Sequence, residues 1–400
     1  MVIGNTSLGI SNNQVLKTLL DRANRIVIKI GSALVFDPQA GQANALWMTA
    51  LGNDIAMLRS KGKQIILVSS GAIALGRERL KLGQGSIRLE QKQAAAATGQ
   101  VELAQKWQSA LGAYDIQTAQ ILLAPEDTET RRRHINARAT TTTLLELGVV
   151  PIVNENDTIT TYEIRFGDND RLAARVAAMI SADLLILLSD VDGLYTANPH
   201  HDDTAEHIPE IHEISGEILA MGGVPHQGFA TGGMTTKLSA AKIATQAGVA
   251  MLICDGQNTR PVSALINGGR FSLFHAQTTP TTARKNWIAG ALDPKGTIEL
   301  DKGAVAALAA GKSLLPVGVT SLTGPFERGD LVTLLGPGGG VLGHGLAGYS
   351  FSEADRLKGQ KSSDFEKLVG YEGRAELIHA DDLVLTTPSV KPLGGPSDGN

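Results

Sequence analysis

The sequence predicts an α/β protein with a mainly parallel central sheet, followed by a small β-rich second domain. Between Arg25 and His275, short apolar runs alternate with stretches of helical periodicity. That alternation is the mark of strands joined by helical crossovers, which parallel pairing requires. The regularity lapses at 276–290, a linker bracketed by Pro280 and Pro294, and beyond it come short strand-like runs with a single helix. A chain of 400 residues agrees with this division, because about 150 residues per domain allows two or three domains and a sizeable core.

Taken in order, residues 1–24 are an extension with no evident role. Arg25–Ile30 is a buried strand that ends at the turn Gly31-Ser32. Met48, Leu51, Ile55 and Leu58 then recur on one helical face, and Lys61-Gly62 supplies a basic last turn and a stop. Gln64–Val68 is the next strand. Helix Glu90–Leu111, strand Ile116–Leu123, helix Thr130–Leu147 and strand Val149–Val153 continue the alternation, although Thr140 to Thr143 are poor helix formers. Further helices are expected at Asp170–Ile180 and Met234–Ala247, and further strands at Leu184–Leu188 and Val249–Cys254. The first domain therefore covers 25–275. The second, 291–387, holds strand-like runs at Thr297–Leu300, Val317–Ser321, Leu331–Leu335, Ala375–Ile378 and Leu383–Leu385, with a helix near Ala304–Ala310. Residues 388–400 are rich in Gly, Pro and Ser and read as a loose tail.

Composition narrows the function. The formal charge is −4 and charged residues make up 19% of the chain, so disorder and strong polyanion binding are poor expectations. Cys254 is the only cysteine, which excludes an intramolecular disulfide or a site of several thiolates and suits a reducing compartment. No apolar run approaches the roughly 18 residues that would span a bilayer. Met1 to Leu20 has neither a basic start nor a dense apolar stretch, so no cleaved secretory signal is expected and a cytoplasmic location is.

The polar residues that interrupt strand ends carry the chemistry. Lys29 sits inside an apolar strand, just before Gly31-Ser32. Alone it reads equally well as a solvated edge lysine or as a cation delivered to the carboxyl end of a parallel strand, where open α/β sheets bind ligands. Ser69-Ser70-Gly71-Ala72-Ile73 repeats the arrangement one strand later; it can hold a carboxylate or phosphate, or be an ordinary strand-to-helix turn. Asn154-Glu155-Asn156-Asp157 follows another strand, and Gly167-Asp168-Asn169-Asp170 opens a helix. Helix capping accounts for part of this set. Gathered carboxylates can also hold a substrate ammonium, Mg²⁺ or facing lysines, or form a metal-hydrolase pair. Thr231-Gly232-Gly233-Met234-Thr235-Thr236-Lys237 combines Gly, Thr and Lys at a helix start, which favours phosphate binding over a flexible loop. Ser189-Asp190 suits nucleotide contacts or a tight surface turn. Gly311-Lys312-Ser313 lacks the upstream glycine and strand of a phosphate loop; Gly336 to Gly340 reads as a hairpin turn and Arg131-Arg132-Arg133 as a solvated helix face.

Together, in this order, these motifs closely resemble the glutamate 5-kinase family of the amino acid kinase superfamily. The similarity runs from Arg25 to Thr387, and residues 291–387 resemble a PUA domain, best at Gly311 to Pro316 and Phe326 to Asp330. Ala230 stands where relatives often have glycine. The resemblance implies a three-layer sandwich and ATP-dependent phosphorylation of the γ-carboxylate of L-glutamate to L-glutamyl 5-phosphate, the first step of proline biosynthesis. It implies catalytic roles for Lys29, Lys237 and Asp170, with Asp170 holding both ammonium groups. Glutamate would be bound by Ser70, Gly71, Asn154, Asp157, Asp168 and Asn169. ATP would be bound by Lys29, Ser189, Asp190 and the loop Thr231, Gly232, Gly233, Met234, Thr235, Thr236 and Lys237. No protein ligand is assigned to Mg²⁺, which ATP would carry. A sister kinase acting on N-acetylglutamate, aspartate or carbamate is the nearest alternative, and the Asn154 to Asp157 and Gly167 to Asp170 pair favours free glutamate. The resemblance also implies a homo-oligomer (dimer or tetramer), feedback inhibition by proline and hand-over to glutamate-5-phosphate reductase. PUA domains elsewhere contact RNA, but nine basic against thirteen acidic residues in 291–387 give no basic footprint, so nucleic acid is not an expected partner.

Overall fold

Strands made almost wholly of Ile, Leu and Val are stable only when covered on both faces, and the central strands of an eight-stranded sheet in this chain meet that condition. The computed structural model describes residues 12–83, 85–161, 166, 168–199, 201–223, 233–290, 293–361, 365–371 and 373–386. It divides into two compact units with a boundary between Ala283 and Arg284.

In the first unit the strands are β1 (Arg25–Ile30), β2 (Gln64–Ser69), β3 (Thr118–Leu123), β4 (Val150–Glu155), β5 (Leu184–Ser189), β6 (Glu210–Ile211), β7 (Ala250–Asp255) and β8 (Phe271–Phe274). They pair in the order β6-β8-β7-β5-β1-β2-β4-β3, and every pairing is parallel except β7 with β8. Alternation along each strand splits its residues between two cores. Ile26, Ile28, Ile30, Leu67 and Ile186 face α1 (Asn12–Arg22), α2 (Ala45–Ser60), α4 (Leu89–Gly112) and α8 (Pro261–Ile266). Val27, Ile66, Val68, Leu185 and Leu187 face the other layer, which includes α5 (Arg131–Glu146), α6 (Asn169–Met179) and α7 (Met234–Gln246). The result is the expected three-layer sandwich with a mainly parallel sheet. The remaining helix near the site, α3 (Ala72–Arg79), packs on α4.

Several features of this unit depart from the sequence reading. Part of the segment read as an idle extension is helix α1, whose Leu16 and Leu20 are buried in the first core. Strands β6 and β8, at one side of the sheet, have no sequence signal, because two and four residues are too short to display a period. Strand β4 runs on to Glu155, so Asn154 and Glu155 lie within it and are buried, where the reading placed them after its end.

The second unit carries a five-stranded sheet in the order Val319–Thr323, Gly296–Leu300, Leu331–Leu335, Val341–Leu346, Leu383–Leu385. Its own core includes Ile298, Val332, Leu334, Phe326 and Tyr349. Val341–Leu346 escapes a sequence reading because Gly343 and Gly345 break its apolar pattern. Within Ala375–Ile378, only Ile378 makes a bridge, to Leu314. The stretch read as linker contains a helix, Pro280–Ala289, with Arg284 and Ile288 buried. The tail 388–400 lies outside the described residues.

Candidate active site

Because β1, β2, β4 and β5 are parallel and adjacent, their carboxyl ends meet at one edge of the sheet, where ligands of open α/β sheets bind. Lys29 is the penultimate residue of β1, paired with Val68 of β2 and Leu187 of β5. It is therefore on a central strand, not a solvated edge, and only 8% exposed. Alternation sends its side chain to the same face as Val27, toward the layer of α6 and α7. Those helices bring Asp170 and Lys237.

Asp170, in the first turn of α6, is 1% exposed and lies between the two lysines. Lys29 Nζ is 2.5 Å from Asp170 Oδ1, and Lys237 Nζ is 3.3 Å from Oδ2. Thr236 Oγ1 also donates to Oδ2, at 3.1 Å. Burial pushes the Asp170 carboxyl up, but the Lys29 and Lys237 charges and their hydrogen bonds outweigh it and hold the group below its ordinary range. The start of a helix adds to this, since its free amides favour a negative charge. Two ammonium groups thus converge on one buried carboxylate, brought together from positions 29, 170 and 237.

A second cluster lies beside the first. Asn169 Nδ2 approaches Ser70 Oγ at 2.8 Å, Asn154 Oδ1 at 2.9 Å and Ser69 O at 3.1 Å. Asn154 Nδ2 in turn donates to Gln100 Oε1 at 2.8 Å. These amides fix one another's orientation, which is why polar residues are tolerated at the buried end of β4. Asp168 caps α6, its Oδ1 accepting from Arg171 N at 2.9 Å, and burial pushes its carboxyl up. Gly71 adopts φ +108° at the start of α3, a conformation reserved for glycine, and a Cβ there would meet Val35 at 3.1 Å.

Ser70, Gly71, Asn154, Asp157, Asp168 and Asn169 all line one cavity of about 660 Å³. Every residue expected to hold the acceptor is thus in a single space, while Lys29, Asp170 and Lys237 stand outside its lining. Sequence reasoning missed other lining groups, notably Arg77, Lys81, Lys92 and Gln93. A signal existed for part of this set: Ala74, Arg77, Glu78 and Lys81 fall at i, i+3, i+4 and i+7, one face running along α3 and past its end.

Of the residues expected to hold nucleotide, Ser189 ends β5 and donates its Oγ to Asp190 Oδ1 at 2.9 Å, with Asp190 exposed. Gly233 caps α7, Met234, Thr235 and Thr236 open it half-buried, and Thr235 Oγ1 donates to Gly222 O at 3.0 Å. Thr231 and Gly232 lie outside the described residues.

The model of the Amino acid kinase family matches residues 24–255, and that of the PUA domain matches 296–369. A glutamate 5-kinase of Rhizobium rhizogenes is 55% identical over 372 residues, 93% of this chain and 95% of that protein. One of Gluconobacter oxydans is 54% identical over 369 residues, 92% of this chain and 98% of its own length. Among solved structures, the carbamate kinase of Giardia lamblia bound to AMP-PNP aligns with 64% of this chain and 99% of its own, at 17% identity and a TM-score of 0.46.

Proposed function

The chain belongs to the amino acid kinase family and, within it, to the glutamate 5-kinases, and from that premise we propose how its two clusters divide the work of phosphorylating the γ-carboxylate of L-glutamate with ATP to give L-glutamyl 5-phosphate. That reaction opens proline biosynthesis. A γ-carboxylate is ionised at neutral pH, so its oxygen attacks without a general base. What remains is to hold acceptor and donor in line and to stabilise charge spread over the migrating phosphoryl group.

The cavity holds glutamate. Asp157 and Asp168 are the carboxylates for its α-ammonium; Ser70, Asn154 and Asn169, tied to one another, supply polar contacts and keep a fixed geometry. The free amides at Gly71 and the start of α3 add to them. ATP lies toward the other cluster, with Ser189, Asp190 and the loop 231–237 as its contacts. Lys29 and Lys237 face the transferring phosphoryl group, and Asp170 positions both ammonium tips. Each oxygen of Asp170 already faces a lysine, so Mg²⁺ is assigned to the phosphate oxygens of ATP and not to that carboxylate; when bound, it supplies further neutralisation of the phosphates. Feedback by proline, hand-over of the acyl phosphate to glutamate-5-phosphate reductase and homo-oligomer formation extend this reading and rest on the family alone. Among the described residues no helix is long and apolar enough to cross a membrane.

The observation that carries the reading is the pair of buried ammonium groups on one carboxylate. A buried surplus of positive charge is costly unless an anion completes it, and a phosphoryl group is such an anion. Lys237→Ala is expected to cut kcat by at least ~100-fold, the scale of losing one preorganised charge contact, with the KM for glutamate nearly unchanged. An ADP-release assay on a folded variant checks this. Near wild-type turnover would remove Lys237 from the reaction.

A further inference from the structure

At the far edge of the sheet from the kinase site, three side chains form a cluster that phosphoryl transfer does not use. Glu210 begins β6, His212 follows it directly, and His275 follows β8. Pairing of β6 with β8 sets Glu210 opposite Leu273 and Ile211 opposite Phe274, and continuing that register brings His212 beside His275. Residues two apart in a strand share a face, so Glu210 and His212 project together while Ile211 points into the core. The backbone is fixed where this happens, since His275 N donates to Ile211 O at 2.9 Å. Because β8 runs antiparallel to β7, the cluster lies level with the start of β7, at the opposite edge from Lys29 and Ser69.

The two imidazoles stack with centroids 4.2 Å apart and planes 12° from parallel. Glu210 Oε2 is 2.8 Å from His275 Nε2 and 3.8 Å from His212 Nε2, and one ligand atom from each of the three residues lies within 4.8 Å of the others. Zinc bound to nitrogen and oxygen at about 2.0–2.2 Å places neighbouring ligands roughly 3.3 Å apart in a tetrahedron. Glu210 and His275 already lie within that spacing, and His212, on the exposed side, has to tilt out of the stack so that its in-plane lone pair points at the shared ion. We propose that Glu210, His212 and His275 form a binding site for a divalent transition-metal ion, Zn²⁺ fitting best, with the remaining coordination position open to water.

Two imidazoles and a carboxylate select Zn²⁺, Co²⁺ or Ni²⁺ over Mg²⁺, which requires an oxygen shell and keeps its waters. The ion would staple β6, held to β8 through only two paired residues, to the sheet. The chain running on from β6 reaches Gly222, whose carbonyl accepts from Thr235 at the head of α7.

The experiment titrates Zn²⁺ into the full, untagged, chelator-treated chain by calorimetry, beside His212→Ala and Glu210→Gln. His212 is 74% exposed in its side chain, so its removal leaves packing intact. One Zn²⁺ per chain is expected, raising Tm in the wild type by binding the native state alone. Either variant should weaken it at least ~10-fold, the lower range for disturbing even an outer-sphere partner, with turnover unchanged. Millimolar Mg²⁺ should not compete, and Co²⁺ should give the absorption of a low-coordinate site that His212→Ala abolishes. Absence of saturable binding, equal affinity in the variants, or displacement by Mg²⁺ would each overturn the proposal.

Discussion

Asp168 carries two duties that pull on its carboxyl in opposite directions. As the cap of α6 it accepts from Arg171 N, which favours the ionised form, yet burial prevails and raises its pKa, with the Asp170 charge adding to the rise and Lys29 opposing it. A folded pKa above the unfolded value means the native state binds the proton more tightly, so this group lowers stability as pH rises from the unfolded value of 3.8 through its folded value. Asp170 has the opposite sign. Its folded pKa is depressed, so its contribution is present above 3.8 and is lost as pH falls through the folded value. Asparagine caps a helix as well as aspartate does. Asp168→Asn is therefore expected to raise Tm at pH 7, with the gain shrinking to nothing in acid, while the KM for glutamate rises because a carboxylate has left the cavity. A variant less stable than wild type at neutral pH would overturn the burial argument, and an unchanged KM for glutamate would remove Asp168 from substrate binding.

The lip of that cavity depends on how closely two helices approach. Where α3 crosses α4, a Cβ on Gly99 would lie 1.9 Å from Ala72 O, and one on Gly76 1.7 Å from Ala95 O. Backbone, not flexible side chain, occupies the space, so nothing can move aside cheaply. Gly99→Ala should separate the helices, shift Gly71 and Ala72 at the cavity and cost about 1–3 kcal/mol, as overpacking does. Gly112→Ala, later on α4 with open space around it, is the matching control and should be neutral or slightly stabilising. Urea midpoints of the two variants decide the matter; equal midpoints would mean the crossing tolerates a methyl group. This element scale is also where sequence was most legible. β1, β2, β5 and β7 are legible as short continuous apolar runs, and α6 and α7 as periodic stretches behind polar clusters. The convergence of Lys29, Lys237 and Asp170 was reached only through resemblance, since no local pattern reports that α6 and α7 pack on the face of β1 that Lys29 shares with Val27. Asn154 and Glu155 looked like loop residues because the amides that satisfy one of them, from Gln100 and Asn169, lie on α4 and α6. Short edges such as β6, and glycine-broken strands such as Val341–Leu346, leave no period to detect.

At the scale of the whole chain, each unit closes its own core: the two clusters around the eight-stranded sheet share no residue with the one built on Ile298, Val332 and Phe326. The second unit depends on an ion pair for part of its cohesion. Arg284 donates to Asp382 and to the carbonyl of Asp381, with its side chain 7% exposed and that of Asp382 12%. A buried pair adds little over apolar packing, but removing one partner strands the other charge away from water and costs about 3–5 kcal/mol. Arg284→Ala should therefore destabilise the second unit by that amount and lower its melting transition. Glutamate and ATP bind the first unit, so they should raise the other transition, equally in wild type and variant. Differential scanning calorimetry with and without both substrates reads the two responses separately. If Arg284→Ala and the substrates instead moved a single shared transition, the chain would unfold as one cooperative body and the division at Ala283 would have no thermodynamic meaning.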